Sequence, residues 1–330
     1  MVERSTSTEG LQIGVESTAG TAVAANKKMR TFDAIPRVNT GSQIHRSPGL
    51  TLPTRVVPGK EHLDWNLQGI ANYGEITYLL ASLFNTPSPT QQGATSAYEW
   101  VFTEDIDAID TSHKTFTIEK GQSARAYEAP FFVVTELGVA YTRDGVALTG
   151  SAVSQELTDG ITMTASPSYV DDEPVVPDHV SVYLDTTSGG LGTTKLTKVL
   201  AASINIANGW NPYYALNNAE PSFAGISKGG LVGTVSLDLI ADSTAMGFLT
   251  DWQNATRKFL RLACDHDDAN GIDTSETYQL YFDCAVDVED FRSIDDNDGL
   301  TAVSVQLQIM ADTTWGKGVE VNVHNALTTL

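Results

Sequence analysis

The sequence predicts a mainly β, antiparallel protein in which one structural unit is written twice, and three observations carry that expectation. Apolar and polar residues alternate strictly in many short segments, the mark of strands with one buried face. Helical spacing appears in only two places, and these places and the strands before them are related by an offset of 170 residues, as Leu67 is to Leu237. At 330 residues the chain is also long enough for about two domains and a substantial core.

The elements follow in order. "LQIGVES" from Leu11 opens the first unit. In "LDWNLQ" Leu63, Trp65 and Leu67 point one way and Asp64, Asn66 and Gln68 the other. Ile76, Leu79, Leu80 and Leu83 then fall at i, i+3, i+4, i+7, one face of a short helix. Asn72 caps that helix, with Glu75 three residues on in the manner of a capping box. "KTFTIEK" and the hairpin "FFVVTELGVAYTRDGVALTGSAVSQEL" complete the unit. The second unit repeats the plan with "VSVYLD", "ASINIA" and "TVSLDLIA", a helix on Ala245, Phe248, Leu249 and Trp252 capped by Asp242, "KFLRLAC", and a hairpin containing "YQLYFDCAVDV" and "VSVQLQI". The offset of 170 pairs Trp65 with Val235, Asn72 with Asp242 and Tyr78 with Phe248; nearer the start an offset of 169 pairs Thr18 with Thr187 and Ile35 with Ile204.

These correspondences set the expected organisation: a first module over residues 1–166 with an insertion near 86–113, a Pro- and acid-rich linker over 167–179, and a second module over 180–330. Each helix is expected to lie one-faced over a sheet. Each module also carries a long arm between early strands, residues 39–60 and 208–230. Loops of this length inside a domain are usually functional. The first arm holds Ile44, His45, Arg46, Leu50, Leu52 and Val56, the second Trp210, Tyr213, Tyr214 and Phe223. Such apolar content implies burial against something, an adjoining subunit being one candidate.

Site chemistry is absent where it would be expected. "SGGLGTTK" at 188–195 has Thr194 where a P-loop needs Gly and Lys195 where a dinucleotide fingerprint needs its third Gly, so a glycine turn is expected. The acidic runs at 265–273 and 295–299 fail the EF-hand count, because Ile294 and His266 stand at the first ligand positions. No HxxxH pair, CxxC pair or GxSxG elbow is present. Cys264 and Cys284 read as buried, reduced thiols. No catalytic residue, cofactor or metal is expected, and no membrane span, since no run approaches the ~20 apolar residues one needs. "MVERSTSTEG" lacks a secretory apolar stretch, so a soluble protein folded in a cytoplasm is expected. The formal charge of -21 argues against a conventional nucleic-acid binder, which needs a basic face.

The opening "GVESTAGTAVAANKKM", the "WNLQG" strand leading into a short helix, the arm between early strands and the strand-rich remainder resemble the tail tube proteins (major tail proteins) of long-tailed, siphovirus-type bacteriophages. The resemblance spans essentially the whole chain through architectural motifs. It implies tail-tube-like modules of β-sandwich or barrel type, each with one flanking helix and a β-hairpin arm. It implies self-assembly into stacked rings forming a channel that holds the tape measure protein and later passes DNA without specific binding. Tail terminator and tail tip proteins would meet the tube ends, the protein would belong to the virion tail, and assembly would occur in the host bacterial cytoplasm. Family rings are usually hexamers of one module, so a duplicated chain could close the same ring as a homotrimer with pseudo-sixfold symmetry. A one-module hexamer with a large insertion is the alternative. The arms would then serve inter-ring contacts, and an acidic lumen would repel DNA. A tandem β-sandwich binding module for carbohydrate or a host surface is the competing function; an enzyme has no positive support.

Overall fold

The computed structural model describes residues 8–107, 112–122, 124–216, 222–266, 271–273, 275–297 and 299–330. The chain is mainly β, and two α-helices, Ile76–Leu83 and Ser243–Gln253, lie among the described residues. In the first half, Gly10–Val15 pairs with Lys27–Met29 and Phe116–Gln122, and the latter pairs with the start of the long strand Arg125–Thr142. That strand bends at Phe131, where φ is 55°, and its second part joins Gly145–Ser154, His62–Ile70 and Phe32–Asn39 in a further layer. The bend lets one strand serve both layers, so their inward residues, among them Ile13, Trp65, Phe116 and Phe132, form one core.

The second half follows the same pairing order. Val180–Asp185 pairs with Lys195–Leu196 and Lys258–Asp265, and the latter pairs with the start of the long strand Gln279–Asn297. The end of this strand continues through Leu300–Ile309 and Leu231–Ile240 to Val199–Asn208. Register shifts interrupt the two long strands at matching places, between Val134 and Glu136 and between Val288 and Asp290, and a further shift between Phe291 and Ser293 has no counterpart in the first half. Bulges re-aim a strand at a defined residue, and here each of the matching pair follows a valine and precedes an acid. The side-chain bonds ahead of the helices are similar, Asn72 accepting from the N–H groups of Gly74 and Glu75 and Asp242 from those of Thr244 and Ala245, but only Asp242 stands at the helix N-cap, since that position of the first helix is Glu75, which makes no side-chain cap bond, and Asn72 holds the turn before it.

Sheet register corrects one sequence correspondence. Pro36 lies opposite Trp65 and Ile204 opposite Val235, so Ile204 corresponds to Pro36, an offset of 168, and not to Ile35. A one-residue slip exchanges the two faces of a strand. Ile204 faces the core, whereas Ile35 is exposed.

Four further features depart from expectation. All eight residues of Ile76–Leu83 are buried, where a one-faced helix was expected; Ser243–Gln253 buries only Ala245 and Phe248. Two polar residues of the first helix are satisfied from elsewhere in the chain: the Asn325 amide donates to Thr77 and the Val134 N–H to Ser82. Glu75 closes no capping box, because its carboxylate accepts instead from Arg30 and Thr31. Finally, within the 86–113 insertion the strand Tyr98–Asp105 pairs with Lys317–Asn325 of the second half, Trp100 opposite Val323 and Phe102 opposite Val321. The 167–179 segment is docked as well: Ser168–Tyr169 pairs with Lys27–Met29, and Val170 and Val175 are buried.

Candidate assembly surfaces

The layers carrying the arms fuse into one sheet. Residues 136–141 of Arg125–Thr142 pair antiparallel with residues 202–207 of Val199–Asn208, Leu137 opposite Ile206 and Val139 opposite Ile204. Eight strands thereby run continuously from Phe32–Asn39 at one edge to the end of Gln279–Asn297 at the other. Their inward side chains pack into the core.

The outward face is lined by Asn66, Thr149, Ser151, Ser203 and Asn205, which with Glu136 border a shallow depression over the joint. It also carries Asp64 and Asp238 at paired positions, and Asp287, which is held in a bidentate ion pair by Arg257; Arg37 is the only Lys or Arg at a paired position of this face among the described residues. Neutral donors on neighbouring strands hold several acids: Asn205 Nδ2 lies 2.6 Å from Glu136 Oε1, Gln306 Nε2 lies 2.6 Å from Glu289 Oε2, and Ser304 donates to Asp238. Neutral donors fix an acid in place and leave its negative charge on the face.

Among the described residues both end strands are paired along one side only. Phe32–Asn39 meets His62–Ile70, and residues 290–297 meet Leu300–Ile309. Val38 and Ile294 point to the core side of the sheet, yet they are 51% and 56% exposed, since no further strand covers them.

The arms are β-hairpins with different surroundings. Gln43–His45 pairs with Arg55–Val57, and Ile44, Leu50, Leu52 and Val56 all remain exposed. His45 pairs with Arg55, while the Arg46 guanidinium donates to the carbonyls of Leu50 and Thr51 and so clasps the arm tip. In the second arm Asn211–Tyr213 pairs with Gly225–Ser227, and this arm lies on the first half of its own chain. Trp210 and Phe223 are buried with Phe131 and Val133, and the Phe131 and Phe223 ring centroids are 5.1 Å apart. Tyr214 Oη sits 3.1 Å from His62 Nδ1, Gln155 donates to the Phe223 carbonyl, and Ser222 donates to that of Glu61. Tyr213 is exposed.

The other motifs take structural roles. In "SGGLGTTK" the Asp185 carboxylate accepts from the N–H groups of Gly192, Thr193 and Thr194 and from the Thr193 hydroxyl. Burial pushes its pKa up, but these donors outweigh burial and hold it below the usual value. Backbone donors that a phosphate would need are thus already occupied. Cys264 and Cys284 are buried free thiols, both with pKa values raised by burial, which makes them poor nucleophiles. Among the described residues no group of three or more potential metal-ligating side chains occurs, and no helix is long and apolar enough to cross a membrane. The acidic runs fall partly outside the described residues. Nothing in the sequence distinguished the two arms, because their aromatic and aliphatic content states only that burial is needed. The sheet edges were equally silent, for Val38 and Ile294 alternate like any core residue.

No family model matches the chain, and no curated protein matches it. Among solved structures the chain is similar to the SPP1 tail tube, described as a hybrid solid-state NMR and cryo-EM structure, at 12% sequence identity and a TM-score of 0.32, with 47% of this chain and 82% of that chain covered.

Proposed function

We propose that this chain is a structural protein of a phage tail tube, built from two equivalent modules and assembling as stacked trimeric rings. The single observation that carries the reading is the eight-stranded sheet, which combines a bare, polar, acid-bearing face with two strand edges that lack neighbours. Exposed edges invite further pairing, and a head-to-tail contact that closes by rotation gives a ring. The matching pairing order and bulges of the two halves support their equivalence.

Six modules, the number implied by the sequence resemblance, require three chains and about 24 strands. At ~4.8 Å between strands and ~40° tilt, such a wall is about 48 Å across at the backbone. After side chains about 35 Å remains, wider than a nucleic-acid duplex. With the polar face inward, the acids line the channel. At physiological salt their field fades over roughly 8 Å, so repulsion acts where a duplex nears the wall and prevents adhesion without obstructing the axis. A tape measure protein would occupy the channel before DNA, and terminator and tip proteins would close its ends.

Negative-stain electron microscopy across a protein concentration series tests the function. Rings or tubes with a central channel are expected. Isolated particles at every concentration would refute the reading, and a glycan-binding assay would then test the binding-module alternative.

A further inference from the structure

The linker before the second half also covers part of the first. It crosses the turn ahead of the first helix, where the Tyr73 N–H donates to the Glu173 carbonyl, the Val175 N–H donates to the Ala71 carbonyl, and Asn72 lies opposite Pro174 in an antiparallel bridge. Val170 and Val175 are buried there, and Asp172 pairs with Arg30. The approach is so close that a Cβ on Gly74 would lie 2.9 Å from Val170 Cγ1.

The second half builds the same turn without the cover. Ile70 and Ala71 donate their N–H groups to the carbonyls of Thr31 and Val146, and Ile240 and Ala241 donate theirs to those of Lys198 and Thr301, which equates Ala71 with Ala241 and Tyr73 with Ser243. Among the described residues the Ala241 carbonyl and the Ser243 N–H make no backbone hydrogen bond. Ser243 and Thr244 are exposed, and Met246 is 36% exposed where its counterpart Ile76 is fully buried. The segment that would correspond to the linker is the start of the chain. Ile13 lies between Lys27 and Ile118 as Val182 lies between Leu196 and Leu262; counting back from that pair, Met1 falls at Val170, Glu3 at Asp172, Ser5 at Pro174 and Thr6 at Val175.

We propose that residues 1–7 of one copy form a strap across residues 241–244 of a neighbouring copy, in the register that residues 170–176 take over residues 71–74. Residues 1–7 lie outside the described residues, and the place where they join the described chain supports the assignment. Thr8 and Glu9 line a cavity with Phe32, Gln68 and Ile70, at the edge strand that has no further neighbour among the described residues. The corresponding part of the linker, Pro177 and Val180, lines a cavity with residues 141–143 of the first half. The linker thus enters its half against the preceding half, and residues 1–7 enter theirs against whatever abuts that edge. Seven extended residues span roughly 23 Å, the same reach as 170–176. In this register the Thr6 N–H and the Arg4 carbonyl meet the Ala241 carbonyl and the Ser243 N–H. Met1 brings an apolar side chain to the bare Met246, and Glu3 comes within reach of the half-exposed Lys198, as Asp172 does of Arg30.

The strap rests on the proposed equivalence of the two halves and on an abutting copy, and its test separates it from the tube. The full chain carrying Ser5→Cys and Asp242→Cys, the pair that matches Pro174 and Asn72, is oxidised beside a chain carrying Ser5→Cys and Trp252→Cys, whose second thiol lies about 15 Å further along the same helix. Opposite residues of an antiparallel pair lie about 4.5–5.5 Å apart between Cα atoms, inside the disulfide range. Covalent dimers and larger oligomers are expected from the first pair, with at least tenfold less product from the second, and mass spectrometry of mixed labelled and unlabelled chains should find the disulfide between different chains. A disulfide within one chain, or none from the first pair, overturns the strap, and tubes seen in the same sample leave the tube reading standing. Cross-linked oligomers without tubes uphold the strap against that reading. Deletion of residues 2–7 supplies the second measurement: native circular dichroism and an at least tenfold higher concentration for half-assembly are expected, and an unchanged assembly curve overturns the proposal.

Discussion

Replacing Phe223 by Ala should destabilise the first half of the chain, although Phe223 belongs to an arm of the second. Its side chain is fully buried and packs on Phe131, whose ring centroid is 5.1 Å away at an interplanar angle of 59°. Truncating a buried Phe costs about 3–5 kcal/mol, of which the aromatic pair accounts for roughly 0.5–1.5. The upper range applies here, because Phe131 sits at a positive φ and the bend it occupies leaves little freedom to collapse into the cavity. Urea denaturation followed by tryptophan fluorescence provides the assay. With a slope near 3 kcal/mol per molar urea for a chain of this size, the transition reporting on the first half should move down by about 1.5 M. Leu52→Ala, on the exposed first arm, should leave the monomer's midpoint unchanged. A shift of less than about 0.3 M for Phe223→Ala would refute the docking of the second arm on its own chain.

Two other outcomes are expected. Hydrogen bonds from Ala245 and Thr244 and the nearby Lys198 lower the pKa of Asp242; a depressed acid stabilises above its unfolded pKa, near 4, and loses that contribution as pH falls through the folded value. The stability difference between the wild type and Asp242→Asn, measured by denaturation, should therefore be largest at neutral pH and shrink toward pH 3; a pH-independent difference would contradict this cap. Fluorescence anisotropy with duplex DNA at low salt should show no binding at micromolar protein, below the range of non-specific binders; salt-sensitive binding would place a basic surface in the channel.

The sequence showed what repeats locally and was silent on what is joined across distance. Alternation around Trp65 and Val235 located the paired strands, and the i, i+3, i+4, i+7 stripes located both helices, since each pattern is imposed by burial of one face. Thr77 and Ser82 looked like the solvent side of the first helix; their donors, Asn325 and the Val134 N–H, lie far away in sequence. "YEWVFTED" reads as part of an insertion, yet its Trp100 and Phe102 complete the sheet of the other half. The two arms carry similar apolar loads, and only the tertiary fold separates the one already docked from the one left bare. Burial at a sheet edge depends on the next strand over, and among the described residues no such strand lies beside Val38 or Ile294.

The symmetry of end-on views of the assembled tube tests the central claim most directly. Cryo-electron microscopy should show true threefold symmetry, with six similar lobes around one continuous β wall and the arm-bearing sheet facing the channel. Strict sixfold symmetry, or a channel lined by any surface other than this polar face, would contradict it.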